Sequence, residues 1–220
     1  MKLYSYFRSS AAYRARIALN LKGLPYEYLP VHLVRDGGEQ HAPAYRSVAP
    51  EGLVPVLVDG DTTVHQSLAI IEYLDETHPQ PPLLPAGAAA RAAVRAIALD
   101  IACDIHPLCN TRVLKYLGAN CGLQKEGSED WIRHWIGTGF AALETRLAHD
   151  PARGAFCHGD APTMADICMV GHVTAAINTS CDLVPYREVM RVFDTAMALP
   201  AFAKAHPLVQ QDTPEAMRRR

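Results

Sequence analysis

The chain has 220 residues, of which 49% are hydrophobic and 20% charged, and its formal net charge is -2 at pH 7. Such a chain is globular with a core of its own, and its slight acidity argues against bulk binding to nucleic acid or a membrane surface. No apolar run approaches the roughly 18 residues of a membrane span. Met1-Lys2-Leu3-Tyr4-Ser5 reads as a polar-interrupted strand, not a signal peptide. The six cysteines, Cys103, Cys109, Cys121, Cys157, Cys168 and Cys181, form no CxxC pair and match no zinc spacing. A cytoplasmic chain with free thiols and no metal is expected.

The first strand, Leu3–Tyr6, leads into a helix that starts near Ser10 and stops at Gly23, with Pro25 beyond it. Tyr13, Ile17 and Leu21 recur at spacing four and give that helix one apolar face. Tyr26–Val31 reads as a second strand, parallel to the first by a right-handed crossover. The stretch from His32 to Gly52 is polar and loop-rich, with a short helix expected around His41–Val48. Gly37-Gly38 suggests mobility there. Two apolar runs then flank Asp59-Gly60, a hairpin signal. Pro55 cannot donate to a ladder and belongs at a strand entry or special turn, where a cis peptide after Val54 is conceivable. A helix follows through Thr77, with Ser67 as cap or first-turn residue and Ile70, Ile71 and Leu74 buried.

His78–Pro85 holds four prolines in eight positions and reads as a linker. After it strand signals vanish and helical text dominates. Arg91–Ile105 is expected as one long helix, continuing with a kink at Pro107 through Asn110–Leu117. Trp131–Leu147 is the next, with Trp135, Phe140 and Leu143 buried. Thr163-Met164-Ala165-Asp166 is a capping box that opens an apolar helix, and Arg187–Met197 is the last clear helix. The expected division is an α/β domain over residues 1–80, a linker over 81–86, an all-α domain over 87–212 and a tail over 213–220. The basic end, Arg218-Arg219-Arg220, reads as a frayed terminus.

No metal-binding HExxH pair, GxSxG or P-loop occurs. Chemistry-bearing residues gather at a few places instead. Ser9 and Ser10 fall where a strand ends and a helix begins, where unpaired N–H groups and the positive dipole end hold anions, thiolates included. Arg8 stands beside them, and an Arg in that place can fork onto a carboxylate. Val54-Pro55 and Gln66-Ser67 offer backbone and side-chain bonds of the kind that anchor a peptide-like ligand. His106, Asn110 and Arg112 surround Pro107 without a spacing that puts them on one helix face. Read singly, each of these residues is also accounted for as a cap, a strand entry or a surface charge.

Taken together the pieces resemble a zeta-class glutathione transferase, the family of maleylacetoacetate and maleylpyruvate isomerases. Ser9-Ser10-Ala11-Ala12-Tyr13-Arg14-Ala15-Arg16 is similar to the signature Ser-Ser-Cys-x-Trp-Arg-x-Arg, and Asp104-Ile105-His106-Pro107 through Asn110 and Arg112 resembles the maleylpyruvate enzymes. The resemblance implies a thioredoxin-like N-terminal domain, an all-α second domain, glutathione as cofactor and a homodimer. It also implies that Val54, with Pro55, holds the cysteinyl backbone, and that Gln66 and Ser67 take the γ-glutamyl end. Gln40, His106 and Asn110 would reach other parts of the tripeptide. Ser9 and Ser10 would stabilise the thiolate, and Arg8 or Arg112 would bind a substrate carboxylate. The implied reaction is cis–trans isomerisation of a maleyl keto acid by reversible thiolate addition. A conjugating transferase and a non-enzymatic relative are the alternatives. Two positions depart from the family pattern. Ala11 replaces the signature Cys, which rules out a mixed disulfide there. Asn178 stands where an Arg precedes the Asp-Leu-x-Pro-Tyr segment, here Asp182–Tyr186.

Overall fold

The computed structural model describes residues 1–218; Arg219 and Arg220 of the basic end lie outside the described residues. Packing divides the described residues into two units, Met1–Leu83 together with 198–218, and Leu84–Met197. The expected helical domain of 87–212 is therefore shorter at its C-terminal end, because its last segment packs with the first unit.

The first unit carries a four-stranded sheet in the order β2-β1-β3-β4, made of β1 (Lys2–Ser5), β2 (Glu27–Pro30), β3 (Val56–Asp59) and β4 (Thr62–His65). β1 and β2 are parallel with Lys2 opposite Glu27, as a β-α-β crossover requires. β3 runs antiparallel to β1, and β3 and β4 form the expected hairpin, with Asp59 opposite Thr62 and Gly60 at φ +57° in the two-residue turn. Val54-Pro55 is cis, as is Gln80-Pro81. The expected short helix resolves into a 3-10 turn, Glu39–His41, and α2 (Pro43–Arg46).

α1 (Ser10–Leu21) is more buried than its apolar spacing predicts. Every residue from Ala12 to Leu19 is buried, including Arg14 and Arg16, while Leu21 is only half-buried. The reason is packing on two sides: α3 (Ser67–Thr77) and α9 (Pro200–Ala205) both lie against α1. A helix covered all round carries no single apolar stripe. The proline-rich link is held by Lys22, whose Nζ donates to Asp75 Oδ1 (2.7 Å), His78 O (2.7 Å) and Pro81 O (2.6 Å). Asp75 Oδ1 also accepts the Leu83 N–H (2.7 Å).

The second unit is all-helical. α4 (Ala88–Leu99) passes into a π-helical turn over Asp100–Ile105, and α5 (Thr111–Cys121) then begins afresh with Asn110 as its N-cap. The expected single kinked helix is thus broken. Pro107 has no N–H to continue the ladder, and the Asn110 side chain satisfies a new N-terminus by accepting the Arg112 N–H (3.1 Å). α6 (Lys125–His149) buries Phe140 and Leu143 but leaves Trp135 half-buried. α7 (Met164–Asn178) is buried along most of its length and opens with the Thr163/Asp166 capping box. α8 (Arg187–Met197) buries Val189, Val192 and Ala196. No helix among the described residues is long and apolar enough to cross a membrane, and their six cysteines are free thiols.

Candidate active site

α1 starts where it does because Ser9 caps it. Ser9 is extended (φ -72°, ψ 117°) and its Oγ accepts the Ala12 N–H at 3.1 Å. That bond uses a lone pair and leaves the hydroxyl proton to be donated elsewhere. Ser10 is the first helical residue, half-buried. Arg8 is exposed, and no hydrogen bond or ion pair among the described residues engages its guanidinium. Two hydroxyls, a cation and a helix N-terminus thus share one turn, an arrangement that favours negative charge.

Val54 packs into the same cluster as Phe7 and Ala12, which brings the strand entry beside this turn. Tyr45 fixes the entry by donating its hydroxyl to Leu53 O (2.6 Å). Among the described residues no group bonds the backbone N–H or C=O of Val54 itself. Gln40 lies next to this entry, since a Cβ on Gly52 would stand 3.0 Å from Gln40 O. The Gln40 side chain is buried; its Nε2 donates to Leu33 O (3.2 Å), and its Oε1 has no hydrogen-bond partner among the described residues. Gly38 stands at φ +112°, a conformation that favours glycine, and a Cβ there would meet the end of the Gln40 side chain at 2.4 Å. Gln66, exposed and at φ +68°, turns the chain into α3, and Ser67 opens that helix, buried. Arg14, buried in α1, reaches Ser67 Oγ at 3.4 Å. The sequence singled out Arg14 only as a signature letter; its role in placing Ser67 depends on helix packing.

Arg8, Ser9, Ser10, Gln40, Val54, Pro55, Gln66 and Ser67 all belong to the first unit, and the contacts just given join their segments. His106, Asn110 and Arg112 belong to the second. There they share the break between the π-helical turn and α5. The His106 ring meets the buried His172 ring edge-on at 6.1 Å, Asn110 is the cap, and Arg112 is exposed in the first turn. Asn178 is exposed at the end of α7.

A small mixed sheet with a cis-proline at the entry to its third strand and a helix N-terminus beyond the hairpin, joined to an all-helical unit, is the architecture of a glutathione transferase. Residues 3–82 match the family glutathione S-transferase, N-terminal domain. The chain is 49% identical to the probable maleylacetoacetate isomerase of Vibrio cholerae, over 96% of this chain and 97% of that one. Among solved structures, the holo form of a zeta-class maleylpyruvate isomerase superposes with a TM-score of 0.94 at 45% identity, over 97% of this chain and 100% of that one. The maleylacetoacetate isomerase of Methylobacterium extorquens AM1, with malonate and glutathione bound, gives 0.93 at 43% identity, again over 97% and 100%. The chain belongs to the zeta-class glutathione transferases, the family of the maleylacetoacetate and maleylpyruvate isomerases.

The residues present fit glutathione. A buried amide oxygen on Gln40 without a partner, an unbonded peptide edge at Val54 and the N–H groups that open α3 are the acceptors and donors a tripeptide with a carboxylate end requires.

Proposed function

We propose that this chain catalyses the glutathione-dependent cis–trans isomerisation of a maleyl keto acid, maleylacetoacetate or maleylpyruvate. The observation that carries the reading is the match over nearly the whole chain to proteins so named, at 43–49% identity. Glutathione, when bound, supplies the thiolate that adds reversibly to the cis double bond, and it is regenerated at each turnover. The chain's own residues bind, orient and stabilise. The Val54 N–H and C=O pair with a peptide backbone beside Pro55. Gln66, Ser67 and the α3 N-terminus receive the γ-glutamyl carboxylate, with the Ser67 hydroxyl proton free to donate while its oxygen accepts from Arg14. Gln40, His106 and Asn110 contribute the remaining polar contacts. Ser9 and Ser10, with the α1 dipole, favour the charged form of the thiol. Arg8 or Arg112 takes the substrate carboxylate and offsets the negative charge that develops on it. Ala11 leaves the chain without a sulfur in this turn, so it provides no thiol nucleophile there. A cytoplasmic homodimer completes the proposal, on family grounds.

Incubation with maleylacetoacetate, maleylpyruvate and a chloro-nitroaromatic, each with glutathione, tests the reading. The expected result is conversion of at least one keto acid to its fumaryl isomer. Turnover of the aromatic alone would establish the conjugating alternative, which Asn178 in place of the family Arg favours.

A further inference from the structure

The segment after α9 is tied to the turn that carries Arg8 and Ser9. It is braced by its own bonds. Thr213 Oγ1 donates to Pro207 O (2.6 Å), Gln210 Nε2 to Lys204 O and His206 O (2.9 Å each), and Arg218 to Thr213 O (3.0 Å) and Gln211 O (2.8 Å). From this strap Gln211 Nε2 reaches Tyr28 O (2.8 Å) on β2. Asp212 goes further: Oδ1 accepts the Tyr28 hydroxyl (2.7 Å) and Oδ2 accepts the Phe7 N–H (3.0 Å). The other side of the same residue is held by Arg16, fully buried in α1. Its Nη2 donates to Phe7 O (3.2 Å), its Nη1 to Tyr6 O (3.3 Å) and its Nε to Ala205 O (3.0 Å). Phe7 is therefore gripped at its N–H by an anion and at its C=O by a cation, and Arg8 and Ser9 follow it directly. Hydrogen bonds to charged groups are the stronger kind. Helix capping by Ser9 needs neither of them.

We propose that Asp212, carried on the C-terminal strap, is a positioning residue for the reaction: through Phe7 it fixes the backbone that aims Arg8 and the Ser9 hydroxyl. This rests on the functional reading above. Four variants test it: Asp212→Ala, Asp212→Asn, Asp212→Glu and, as control, Gln211→Ala, which breaks a strap-to-sheet bond without touching Phe7. Each is measured for glutathione Kd, for kcat, and for the pH midpoint at which the bound thiol ionises, read from thiolate absorbance. Asp212→Ala lowers kcat about tenfold, the scale of one lost charge-assisted bond. Glutathione Kd stays within about twofold, because Val54, Gln66 and Ser67 are untouched. The thiol midpoint moves up as the donors loosen. Asp212→Asn keeps an acceptor for Phe7 and recovers most of kcat, whereas Asp212→Glu keeps the charge but displaces the acceptor and loses activity. Removal of an anion that acted only through its field would move the midpoint down, and that result overturns the proposal. So does unchanged kcat in Asp212→Ala, or an equal loss in Gln211→Ala. If Asp212→Ala does not fold, Asp212→Glu decides, and wild-type kcat there overturns the proposal. A wild-type protein that neither binds glutathione nor isomerises overturns the functional reading, and the proposal with it.

Discussion

Arg8 and Cys109 show how much a single environment decides. The Arg8 guanidinium is exposed and engaged by no hydrogen bond or ion pair among the described residues, so its removal costs the fold little. In the proposed role it binds a substrate carboxylate. Arg8→Ala is therefore expected to raise the keto-acid KM by about tenfold or more, the worth of a charge-assisted contact, and to leave glutathione Kd and thermal stability unchanged. Equal losses in both ligands would place Arg8 elsewhere. Cys109 is the opposite case. Burial, with a smaller push from Cys181, raises its thiol to about 11. The thiolate is the reacting form, and at pH 8 only about one Cys109 in a thousand is ionised. Alkylation at pH 8 should label the exposed Cys103 and Cys121 well before Cys109, and Cys109 labelling should climb as the pH approaches 11. Equal labelling at pH 8 would contradict the burial argument.

At the scale of the element, α7 depends on one carboxylate. Asp166 is fully buried and accepts three bonds, from Thr163 N (2.7 Å), Thr163 Oγ1 (2.8 Å) and Cys157 N (2.7 Å). Burial pushes its pKa up and those three donors pull it down. Asp166→Ala strands two buried N–H groups and removes the N3 half of the capping box, so the expected loss of stability is about 2–4 kcal/mol. Thr163→Ala removes only the hydroxyl half of the box and should cost about 1 kcal/mol. Denaturant unfolding of both variants measures the difference, and equal losses would show that the bonds from the Thr163 and Cys157 N–H groups contribute nothing. This box was legible because both partners lie within four residues. The hairpin at Asp59-Gly60 and the α1 stop at Gly23 (φ +65°) were legible for the same reason. The break before α5 was half legible. Pro107 marks the place, but whether a proline kinks or ends a helix depends on a new cap, and Asn110 supplies it.

For the molecule as a whole, what escaped the sequence is what sequence distance hides. α1 looked like a helix with one apolar face because nothing local announces α9. Arg16 is buried where Ala205, 189 residues away, offers its Nε a carbonyl beside the local ones of Tyr6 and Phe7. The packing of α9 on α1 places the described residues from Ala198 onward in the first unit, whereas the helical domain is expected to run to 212. Gln40 likewise reads as a loop residue until Gly38 and Gly52 let the chain close around it. The segments that hold Ser9, Val54 and Ser67 were recognisable from their residue types, while their juxtaposition rests on the Phe7–Ala12–Val54 cluster and on Arg14. The central claim is that these groups hold glutathione as a returning reagent rather than a consumed one. Its most direct test follows keto-acid conversion and free thiol together, with glutathione well below substrate. The account predicts that the fumaryl product accumulates over many turnovers while the glutathione concentration stays constant. Product that stops at one equivalent of glutathione, with a thioether formed in its place, would contradict it.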